Sequence, residues 1–500
     1  MPQSTRPYAA PTDLDGPART ARADVAPLDA RTLSRRSLLV AGAAGALTLA
    51  AGTDAWAGGR GHGEERWHDD RGPHHGGQRS LRSSVRRADD FLGVMTVAYP
   101  EVNAGPRMAQ SYADQLGLFS TAFVYDVALT ICASLAVGRV DRAATLADGL
   151  VFAQEHDPAY DDGRLRQGYN TGPYTFYDGS PQPYGLELPD GTANIGWQFG
   201  FLGTAVGDMA WPGVALLHTY AATGEARYRD AAVRIGEWIL DNTWSERTLG
   251  GFSFGVDGGN TPIPNGSTEH NVDCIAFFRQ LEALAGGRRW RRARDHAREF
   301  VDLMWDRRGG FFYTGTNDGE EINRSPLPLD PATWGWLAMR ENRYGRALDW
   351  ADDALAARDV AGTGNSQLPE GVTISGVTFS SASLESTASY NGLPVHQDGV
   401  WLEGTAQLAC ALADRGRGAR NSRRARALLG QVLRTQELVG AGQTVGGEVL
   451  PERSGVVAAS SLIDSGFGFG YFQVQHTGAT SWYVMAAEGV NPLQVGGLGV

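Results

Sequence analysis

The most informative absence in this 500-residue chain is lysine, because all 44 basic residues are arginine. Chemistry that needs a lysine side chain is therefore excluded: lysine Schiff bases, attachment of pyridoxal phosphate and a Walker A phosphate-binding loop. Positive charge is also scarce relative to negative charge, since 56 acidic residues give a net charge of −12. A nucleic-acid partner would need a basic surface, so we expect none.

Cysteine is the next residue in short supply. The three cysteines, Cys132, Cys274 and Cys410, each stand alone in an apolar segment. The sequence has no CxxC, CxxCH or HExxH motif, which argues against zinc ribbons, c-type haem, iron–sulfur clusters and zinc peptidases. We therefore expect three buried thiols, no metal site and no cofactor.

The first 57 residues have the pattern of an export signal. Arg35 and Arg36 precede an apolar stretch of about fifteen residues, which is short for a membrane-spanning helix. Residues 55–57 (Ala-Trp-Ala) fit a small-residue cleavage site. We interpret residues 1–57 as a twin-arginine signal peptide, with a lone N-terminal membrane anchor as the alternative. The expected partner is the Tat export machinery, and the expected location is secreted or in the cell envelope, without stable membrane insertion after cleavage.

Two further segments follow the signal. Residues 58–83 are rich in Gly, His and Arg, which predicts a disordered linker. Residues 84–495 read as a succession of helical pairs, in which an almost continuously apolar helix (125–138) precedes an amphipathic one (142–154). The pair recurs at 208–241, 271–306, 330–358 and 401–437. A last apolar helix begins near Ser481, with 85–98 as its expected partner.

The spacing of the apolar helices indicates their arrangement. They begin near residues 126, 208, 272, 331, 401 and 481, a loose repeat of one hairpin plus a variable loop. Six buried helices, each paired with an amphipathic one, predict an all-α fold: an (α/α)6 toroid of six helical hairpins. The loops before the inner helices would then collect at one end of the ring.

Five motifs at these helix starts are the basis of a resemblance to known proteins. They are Gly207-Asp208-Met209-Ala210-Trp211, Ser267-Thr268-Glu269-His270-Asn271-Val272-Asp273, Leu329-Asp330-Pro331-Ala332-Thr333-Trp334, Trp401-Leu402-Glu403-Gly404-Thr405-Ala406-Gln407 and Gly478-Ala479-Thr480-Ser481-Trp482. In this order, over roughly residues 90–495, the chain resembles bacterial proteins of the six-hairpin glycosidase superfamily. The resemblance implies an (α/α)6 toroid whose cleft lies at the inner-helix N-termini. Members include inverting glycoside hydrolases, phosphorylases, polysaccharide lyases and sugar epimerases, so the fold does not select the reaction.

Paired carboxyl groups are the basis of the catalytic prediction. Glycoside hydrolysis needs one protonated and one ionised carboxyl facing each other across the bond. Asp208 and Glu403 lie on opposite helices of a six-membered ring, with an estimated gap of about 8 Å, which fits an inverting pair. We predict Glu403 as the general acid, Asp208 as the first candidate for the base and Glu269 as the second. We also expect Asp398 to raise the pKa of Glu403 through like-charge repulsion.

Other residues near the inner-helix starts are candidates for binding a carbohydrate substrate. The polar candidates are Asp126, His270, Asp273, His396 and Asp398, and the aromatic candidates, whose rings could stack on a pyranose, are Trp211, Trp334, Trp401, Trp482, Tyr169 and Tyr174. Helix capping is the alternative for the acids, and it is the role expected of Asp330 and open to Asn271. Core packing is an equal explanation for Trp211, Trp334 and Trp482.

Three alternatives to hydrolysis remain open. A lyase or an epimerase would take a proton with His270, His396 or His476. A lyase would also need arginines for uronate carboxylates, and Arg107, Arg164 and Arg166 are the few on the predicted loop face. A toroid without a competent acid pair would be a non-catalytic glycan-binding protein of the cell envelope. An exported glycoside hydrolase is the reading that the paired acids favour.

Overall fold

The computed structural model describes residues 74–499 apart from 103, 197, 199 and 417, with side chains from residue 80 onward. The predicted signal (1–57) and most of the predicted linker (58–73) lie outside the described residues. The helices of the described part are α1 His74–Thr96, α2 Val124–Ala136, α3 Val140–Glu155, α4 Val206–Thr223, α5 Ala226–Thr243, α6 Thr268–Leu284, α7 Arg288–Leu303, α8 Asp330–Met339, α9 Gly345–Ala354, α10 Leu402–Arg415, α11 Ala419–Leu438 and α12 Thr477–Glu488, with 3-10 turns at Asp114–Leu116 and Asn342–Tyr344.

The helices close into a double ring. Contacts run from α2 to α4, α6, α8, α10 and α12, and α12 returns to α2. Each of these inner helices packs against an outer partner, which is α3, α5, α7, α9 and α11 for the first five and α1 for α12. The predicted (α/α)6 toroid is therefore confirmed, as is the prediction that the first helix pairs with the last.

Burial explains why the inner and outer helices differ in sequence. In α2 every residue from Val124 to Leu135 is buried, because neighbours surround it on all sides. In α7 the buried residues are Trp290, Ala293, Ala297, Phe300 and Val301, which recur every three or four positions along one face. The inner helices begin within four residues of their predicted starts. Cys132, Cys274 and Cys410 are buried free thiols, as predicted.

Two boundaries differ from the prediction. Helix α1 begins at His74, inside the stretch predicted as a linker, and packs on α12 through a face that includes Val85 and Ala88. Helix α9 ends at Ala354, and the residues expected to continue it form a strand. The reason is visible in the alternation of buried and exposed residues over 356–360, which has the period of a strand rather than of a helix.

Short antiparallel strands fill the loops. They are β1 Thr121–Phe123, β2 Gly168–Asn170, β3 Tyr174–Thr175, β4 Pro181–Gln182, β5 Thr204–Ala205, β6 Gly255–Val256, β7 Pro262–Ile263, β8 Trp305–Asp306, β9 Phe311–Phe312, β10 Gly315–Thr316, β11 Ile322–Asn323, β12 Ala356–Val360, β13 Thr373–Val377, β14 Ser389–Tyr390, β15 Leu393–Pro394, β16 Thr444–Val445, β17 Glu448–Val449, β18 Ile463–Asp464 and β19 Gly470–Tyr471. They pair in sequence order, and β5, β6 and β7 form one three-stranded sheet. Strands β1 and β5 lead directly into α2 and α4, so they fix where these inner helices begin.

Across the described ranges, no helix combines the length and the apolar character needed to cross a bilayer.

Candidate active site

The first turns of the inner helices lie at one end of the toroid. Each inner helix is joined to the next through an outer helix that runs back, so all the inner helices point in the same direction. Their N-terminal ends and the strands before them form one face, which we call the loop face.

Carboxyl groups are concentrated just inside the loop face. Helices α2, α4, α6, α8 and α10 each carry one in the first turn, and α6 carries a second one turn later. We call this set the central cluster, and it consists of Asp126, Asp208, Glu269, Asp273, Asp330 and Glu403. All three carboxyl groups predicted as catalytic belong to it.

The members of the central cluster differ in exposure. Asp208 and Glu403 have no exposed surface, and the exposed fraction of Asp126, Asp273 and Asp330 is at most 2%. Glu269 alone is half-buried. The side of the cluster nearest to solvent is therefore the side of Glu269.

Two members are buried with little compensation, since only Gln167 near Asp208 and Trp211 near Asp273 act to lower their pKa values. Burial raises the pKa of Asp208 and of Asp273 well above the ordinary range, because the charged form loses its water. Neighbouring carboxylates add to the effect, mainly Asp126 for Asp208 and Asp330 for Asp273. Neither oxygen of either side chain has a hydrogen-bond partner among the described residues. Both groups therefore favour their protonated form more strongly than an ordinary aspartate does.

Glu269 and Asp330 form a second interacting pair. Burial raises the pKa of both carboxyls well above the ordinary range, and each is raised further by the charge of the other or of a neighbour. For Glu269 the neighbours are Asp273, Asp208 and Glu403. Glu269 keeps part of its surface in solvent, whereas the exposed fraction of Asp330 is 2%. Glu269 is therefore the one of the two that water can reach.

Glu403 is held through one of its two carboxyl oxygens. The Tyr125 hydroxyl donates a hydrogen bond to Oε1 at 2.7 Å and accepts one from the Trp482 indole N–H at 3.1 Å. The Gln407 amide donates to the same oxygen at 3.4 Å. Oε2 has no hydrogen-bond partner in the part of the chain that the structure describes. The geometry leaves Oε2 as the oxygen that can exchange a proton.

The pKa of Glu403 lies where a proton donor needs it. Burial raises this pKa to about 7. The charge of His476 acts to lower it, and the charge of Asp126 acts to raise it further. A group with a pKa near the working pH is the most effective general acid. The predicted cause, Asp398, is wrong, because Asp398 is exposed and the carboxylate that acts on Glu403 is Asp126.

His476 lies between two members of the cluster. It is the N-cap residue of α12, where Nδ1 accepts the backbone N–H of Ala479 at 3.3 Å. Its Nε2 is 3.0 Å from Asp126 Oδ1, and its Nδ1 is 3.6 Å from Glu403 Oε2. The Tyr112 ring stacks on the imidazole at 4.1 Å. Burial lowers the pKa of His476, but the two carboxylates outweigh burial and raise it above the ordinary value.

His270 lies on α6, three positions around the ring from α12. Burial lowers the pKa of this imidazole to about 4, so it is neutral at pH 7. Neither ring nitrogen has a hydrogen-bond partner within the described ranges. A Cβ on Gly207 would lie 2.7 Å from His270 Cδ2, so the ring packs against the bare backbone of α4. His270 is therefore an unpaired, neutral imidazole beside Asp208.

An aromatic layer lies beside the cluster in the centre of the ring. The indole rings of Trp211 and Trp334 are 5.1 Å apart, and those of Trp211 and Trp482 are 5.8 Å apart. Tyr125 packs against Trp211 at 5.5 Å. These rings are at most 2% exposed, so for the three tryptophans the core-packing alternative describes their position in this conformation better than sugar stacking does.

The other predicted aromatic residues occupy three different environments. Tyr169 is buried in β2, and its hydroxyl accepts the Arg166 backbone N–H at 2.9 Å, which is a packing role. Trp401 is buried, and a Cβ on Gly404 would lie 2.1 Å from its ring, so the glycine is needed for the indole to fit. Tyr174 is half-buried on the loop face and stacks on Phe119 at 4.4 Å. Tyr174 alone of the three keeps a partly open ring.

His396 and Asp398 line an open groove on the loop side of the molecule. Gly364, Asn365 and Ser386 also line this groove. His396 is buried, with Nε2 3.3 Å from Asp359 Oδ1. Neither His396 nor Asp398 is among the groups that act on the central carboxyls. The structure therefore does not bring these two predicted substrate-binding residues into the central cluster.

The capping predictions need correction. Leu329 is the cap residue of α8 and Asp330 makes no side-chain cap hydrogen bond, so the prediction that Asp330 is an N-cap is wrong. Asn271 does not cap α6 either. Ser267 holds the cap position, and the Asn271 side chain accepts the backbone N–H of Phe252 at 2.8 Å. The reason is that both helices start earlier than the apolar pattern indicates.

Sequence reasoning missed several residues of the site. Tyr125, which bonds Glu403, precedes Asp126 in the first turn of α2, and that position is the signal that could have identified it. Tyr112 and Tyr471 come from the loop layer, and no pattern in the sequence marks them. The Tyr471 hydroxyl is buried without a partner among the described residues. Burial raises its pKa most, and the charge of Glu403 is the next largest contributor.

Two of the three arginines considered for a lyase, Arg164 and Arg166, are paired with aspartates outside the central cluster. Arg164 forms an ion pair with Asp162 at 2.6 Å, and Arg166 forms one with Asp157 at 2.5 Å. The charged groups that act on the central carboxyls are one another and His476, with no arginine among them. No set of three or more His, Cys, Asp or Glu side chains arranged to hold a metal ion is found in the residues described.

Comparison with solved structures identifies the architecture. A wild-type glycosidase matches with a TM-score of 0.52 and 12% identity, over 85% of this chain and 100% of that chain. A glycosidase variant in complex with glucose gives the same values. A sugar epimerase from a ruminal bacterium matches with a TM-score of 0.53 and 10% identity, over 83% and 99% of the two chains. No family model and no curated protein matches the chain. At this identity the likeness shows the fold, which is the (α/α)6 toroid.

Proposed function

We propose that the protein is an exported glycoside hydrolase in which Glu403 is the general acid. The observation that carries the proposal is the environment of Glu403: a buried carboxyl with a pKa of about 7, fixed by Tyr125 at Oε1 and, among the described residues, without a hydrogen bond at Oε2. Oε2 would donate its proton to the glycosidic oxygen as the bond breaks. Export through the twin-arginine route, to the cell envelope or beyond, belongs to the same proposal and rests on residues 1–57.

For the base we propose Glu269 rather than Asp208. A general base must be ionised and must reach a water molecule. Burial raises the pKa of both carboxyls, but Glu269 is half-buried and within reach of water, whereas Asp208 has no exposed surface. Electrostatic coupling links Glu269 directly to Glu403. Water activated by Glu269 would attack the face of the sugar opposite the leaving group, and the product would have an inverted anomeric configuration.

Access to Glu403 requires a side chain to move, since this carboxyl is fully covered. Tyr471, on β19, is the side chain we expect to move. Its hydroxyl makes no hydrogen bond within the described part of the chain, so no polar contact holds it in place. Tyr174, half-buried on the loop face, is the aromatic residue we expect to meet a sugar ring first.

A sugar epimerase is the second candidate, and the histidines favour it. His270 and His476 belong to helices that are opposite in the ring, one imidazole with a lowered pKa and the other with a raised one. Such a pair could remove a proton from a sugar carbon on one face and return one on the other. A sugar epimerase is among the solved structures of the same fold.

The first test is the release of reducing ends from glucans, mannans, galactans and uronate polymers. We expect release from a neutral polymer by the wild type and loss of release in Glu403→Gln and Glu269→Gln. Glu448→Gln, at an exposed position on β17, is the matched control. If Asp208→Asn abolishes release and Glu269→Gln does not, the base is Asp208. Release that survives in Glu403→Gln would overturn the acid assignment.

Two spectroscopic measurements separate the candidates. Proton NMR of the fresh product reports its anomeric configuration, and retention would contradict the proposed inverting pair. Incubation of monosaccharides in D2O reports epimerisation, because deuterium would enter the sugar at the carbon that exchanges its proton. Deuterium uptake without release from any polymer would favour the epimerase. Binding of a glycan without either hydrolysis or epimerisation would indicate a binding protein.

A further inference from the structure

The outer wall of the toroid carries an open cavity that the proposed reaction does not use. Its volume is about 430 Å³, and it is lined by Gly309, Arg346, Asp349, Trp350, Asp353 and Ala354. Ligand pockets in proteins have volumes of about 300–1,000 Å³. The lining comes from the outer helix α9 and from the turn between β8 and β9, so the cavity lies outside the ring of inner helices.

One side of α9 faces this cavity. Arg346, Asp349, Trp350 and Asp353 are spaced i, i+3, i+4 and i+7, which places them in one stripe along the helix. The core side of α9 is formed by other residues, such as Leu348. Trp350 is half-buried between charged neighbours. Core packing therefore accounts for only part of the Trp350 ring, and the rest of the ring borders the cavity.

Two further aromatic side chains continue from Trp350 along the β8–β9 hairpin. The Phe311 ring centre is 5.4 Å from that of Trp350, and the Tyr313 ring centre is 5.4 Å from that of Phe311. Successive side chains of a strand point to opposite sides, so Phe312 is buried in the core while Phe311 and Tyr313 share the outer side and are half-buried. We call Trp350, Phe311 and Tyr313 the aromatic row.

Hydrogen bonds hold the aromatic row in place. Asp306 accepts the backbone N–H groups of Arg308 and Gly309 at 2.8 Å through Oδ1, and the Tyr313 hydroxyl at 2.7 Å through Oδ2. The Arg346 guanidinium donates to the Arg308 carbonyl at 3.0 Å, which ties α9 to the hairpin turn. A surface that is ordered in advance loses less entropy when a ligand binds.

A different half-buried tryptophan of the outer wall, Trp244, shows the contrast. Trp244 also borders a cavity, next to the outer helix α7. His296 stacks on its indole with ring centres 3.7 Å apart and an angle of 4°, and the Arg292 guanidinium lies 5.2 Å from the ring centre. Neighbouring side chains therefore cover the Trp244 ring. The ring that Trp350 meets, Phe311, is tilted by 42°, so it does not cover the indole in this way.

The chemistry around the Trp350 ring fits a neutral sugar. An aromatic face stacks on the apolar face of a pyranose, and carboxylates accept hydrogen bonds from its hydroxyls. Asp349 is paired with Arg415 at 2.9 Å, and Arg346 donates to two carbonyls of the hairpin turn. Asp353 is left as an exposed carboxylate. The one arginine of the lining is therefore engaged, and Asp353 would repel the carboxylate of a uronate.

We propose that this cavity and the aromatic row form a surface site that binds a neutral polysaccharide. The row leads from the outer wall toward the reaction centre, because the Tyr313 carbonyl accepts the Thr268 hydroxyl at 2.6 Å and Thr268 directly precedes Glu269. Glu269 is the half-buried acid on the solvent side of the central cluster. A polymer bound here stays near the loop face, which raises its local concentration without any covalent step. The inference rests on the proposed function for the class of ligand only.

Affinity electrophoresis tests binding without turnover. The wild-type protein is run in native gels that contain a glucan, a mannan, a galactan or a uronate polymer. We expect retardation by at least one neutral polymer and none by the uronate polymer. In Trp350→Ala the affinity for the retarding polymer should fall about tenfold, because the stacking surface is lost. An unchanged affinity in Trp350→Ala, or no retardation of the wild type by any neutral polymer, would overturn the site.

Two further variants guard against loss of structure as the cause. Trp244→Ala removes an outer-wall tryptophan whose ring is already covered, so its affinity should equal that of the wild type. Asp353→Ala changes an exposed side chain and should weaken retardation by less than Trp350→Ala does. Thermal midpoints show whether each variant is folded. If Trp350→Ala does not fold, an unchanged affinity in Asp353→Ala overturns the site.

Sedimentation velocity tests the other occupant of such a surface, a second copy of this chain. We expect the same sedimentation coefficient for the wild type and Trp350→Ala. A dimer that is present in the wild type and lost in Trp350→Ala, with unchanged retardation by the polymers, would assign the cavity to self-association and reject the glycan site.

Reaction rates separate this inference from the proposed function. Trp350→Ala should lower several-fold the ratio of release from the polymer to release from a trisaccharide of the same sugar, since a short substrate does not extend from the central cluster to the outer wall. Retardation that depends on Trp350, without release from any polymer, would reject the hydrolase and leave the surface site intact. Release with equal retardation of the wild type and Trp350→Ala would reject the surface site alone.

Discussion

Two buried carboxyl environments in this protein have opposite properties. Asp359, in the loop layer, accepts hydrogen bonds from the hydroxyls of Ser366, Ser460 and Ser461 at 2.5–2.6 Å, and His396 lies 3.3 Å away. Burial acts to raise the pKa of Asp359, but these four groups together lower it below the ordinary range. In the central cluster, the buried carboxyls accept few hydrogen bonds. The pKa of each carboxyl that shows a shift is raised.

The difference shows which buried acids build the fold and which are available for chemistry. Asp359 and Asp208 both have an exposed fraction of 0%, so burial does not distinguish them. The number of hydrogen-bond donors to each carboxyl distinguishes them. A carboxylate with a complete set of donors is fixed in its charged form, and a carboxyl without them keeps a proton that it can give away.

The largest effect is expected at Glu403. Glu403→Gln keeps the shape of the side chain and removes its proton, so we expect hydrolysis to fall by about 10²–10⁴-fold. The thermal midpoint should stay the same or rise, because a buried carboxyl with a raised pKa is costly to keep. Rates of reducing-end release and a melting curve check both parts. A large fall in the midpoint would mean that Glu403 belongs with Asp359 as a structural acid.

The next effect is on stability and compares two isosteric substitutions. Asp359→Asn leaves hydroxyl donors without a charged acceptor, so we expect the free energy of unfolding to fall by about 2–3 kcal/mol. Asp208→Asn should change it by less than about 0.5 kcal/mol or increase it, since neither oxygen loses a partner among the described residues. Urea denaturation measures both. Equal destabilisation by the two substitutions would remove the distinction between the regions.

A smaller effect is expected from the single strong donor to Glu403. The Tyr125 hydrogen bond lowers the pKa of Glu403, so Tyr125→Phe should raise it. The alkaline limb of the pH–rate profile follows the loss of the proton from the acid and should move to higher pH, with a fall in rate of about tenfold. Trp482 would lose its acceptor in the same variant. An unchanged alkaline limb would mean that another group controls it.

The smallest effect concerns stability against pH. The pKa of Glu403 is raised from 4.5 to about 7 on folding, so the folded state binds more protons than the unfolded state between these values. Glu403 should therefore contribute about 1 kcal/mol more stability at pH 6 than at pH 8. Asp359, with a lowered pKa, acts in the opposite sense, and its contribution is lost only as the pH falls below the ordinary range for aspartate. Urea denaturation of Glu403→Gln at pH 6 and pH 8 should show a slope that is smaller by this contribution, while the other carboxyls with raised pKa values keep the remaining slope of the same sign.

Much of the fold can be predicted from the sequence, because helix period and burial are local properties of the chain. Continuous apolar character marks α2 as an inner helix, and the one-sided pattern of α7 marks it as an outer one. The strand at 356–360 escaped prediction, because it follows α9 directly and five residues are too few to reveal a change of period.

The site could be predicted only in part. Its acids follow from position, because every inner helix brings its first turn to the loop face, and Asp208, Glu269 and Glu403 were identified in this way. Their environments do not follow from position. Asp398, five residues before Glu403, is exposed, whereas His476, 73 residues after it, lies 3.6 Å from its carboxyl. Separation along the chain therefore does not predict which side chains are close in space in a closed ring of helices.

The sequence by itself determined the six-hairpin toroid and the end of it at which the acids gather, because both depend on patterns that repeat along the chain. The tertiary structure alone decided which acids receive donors and which do not. Tyr125 reaches Glu403 from α2, and His476 reaches both Glu403 and Asp126 from the start of α12. A pKa depends on charges and donors within a few ångströms, and those neighbours exist only when the first and last hairpins meet.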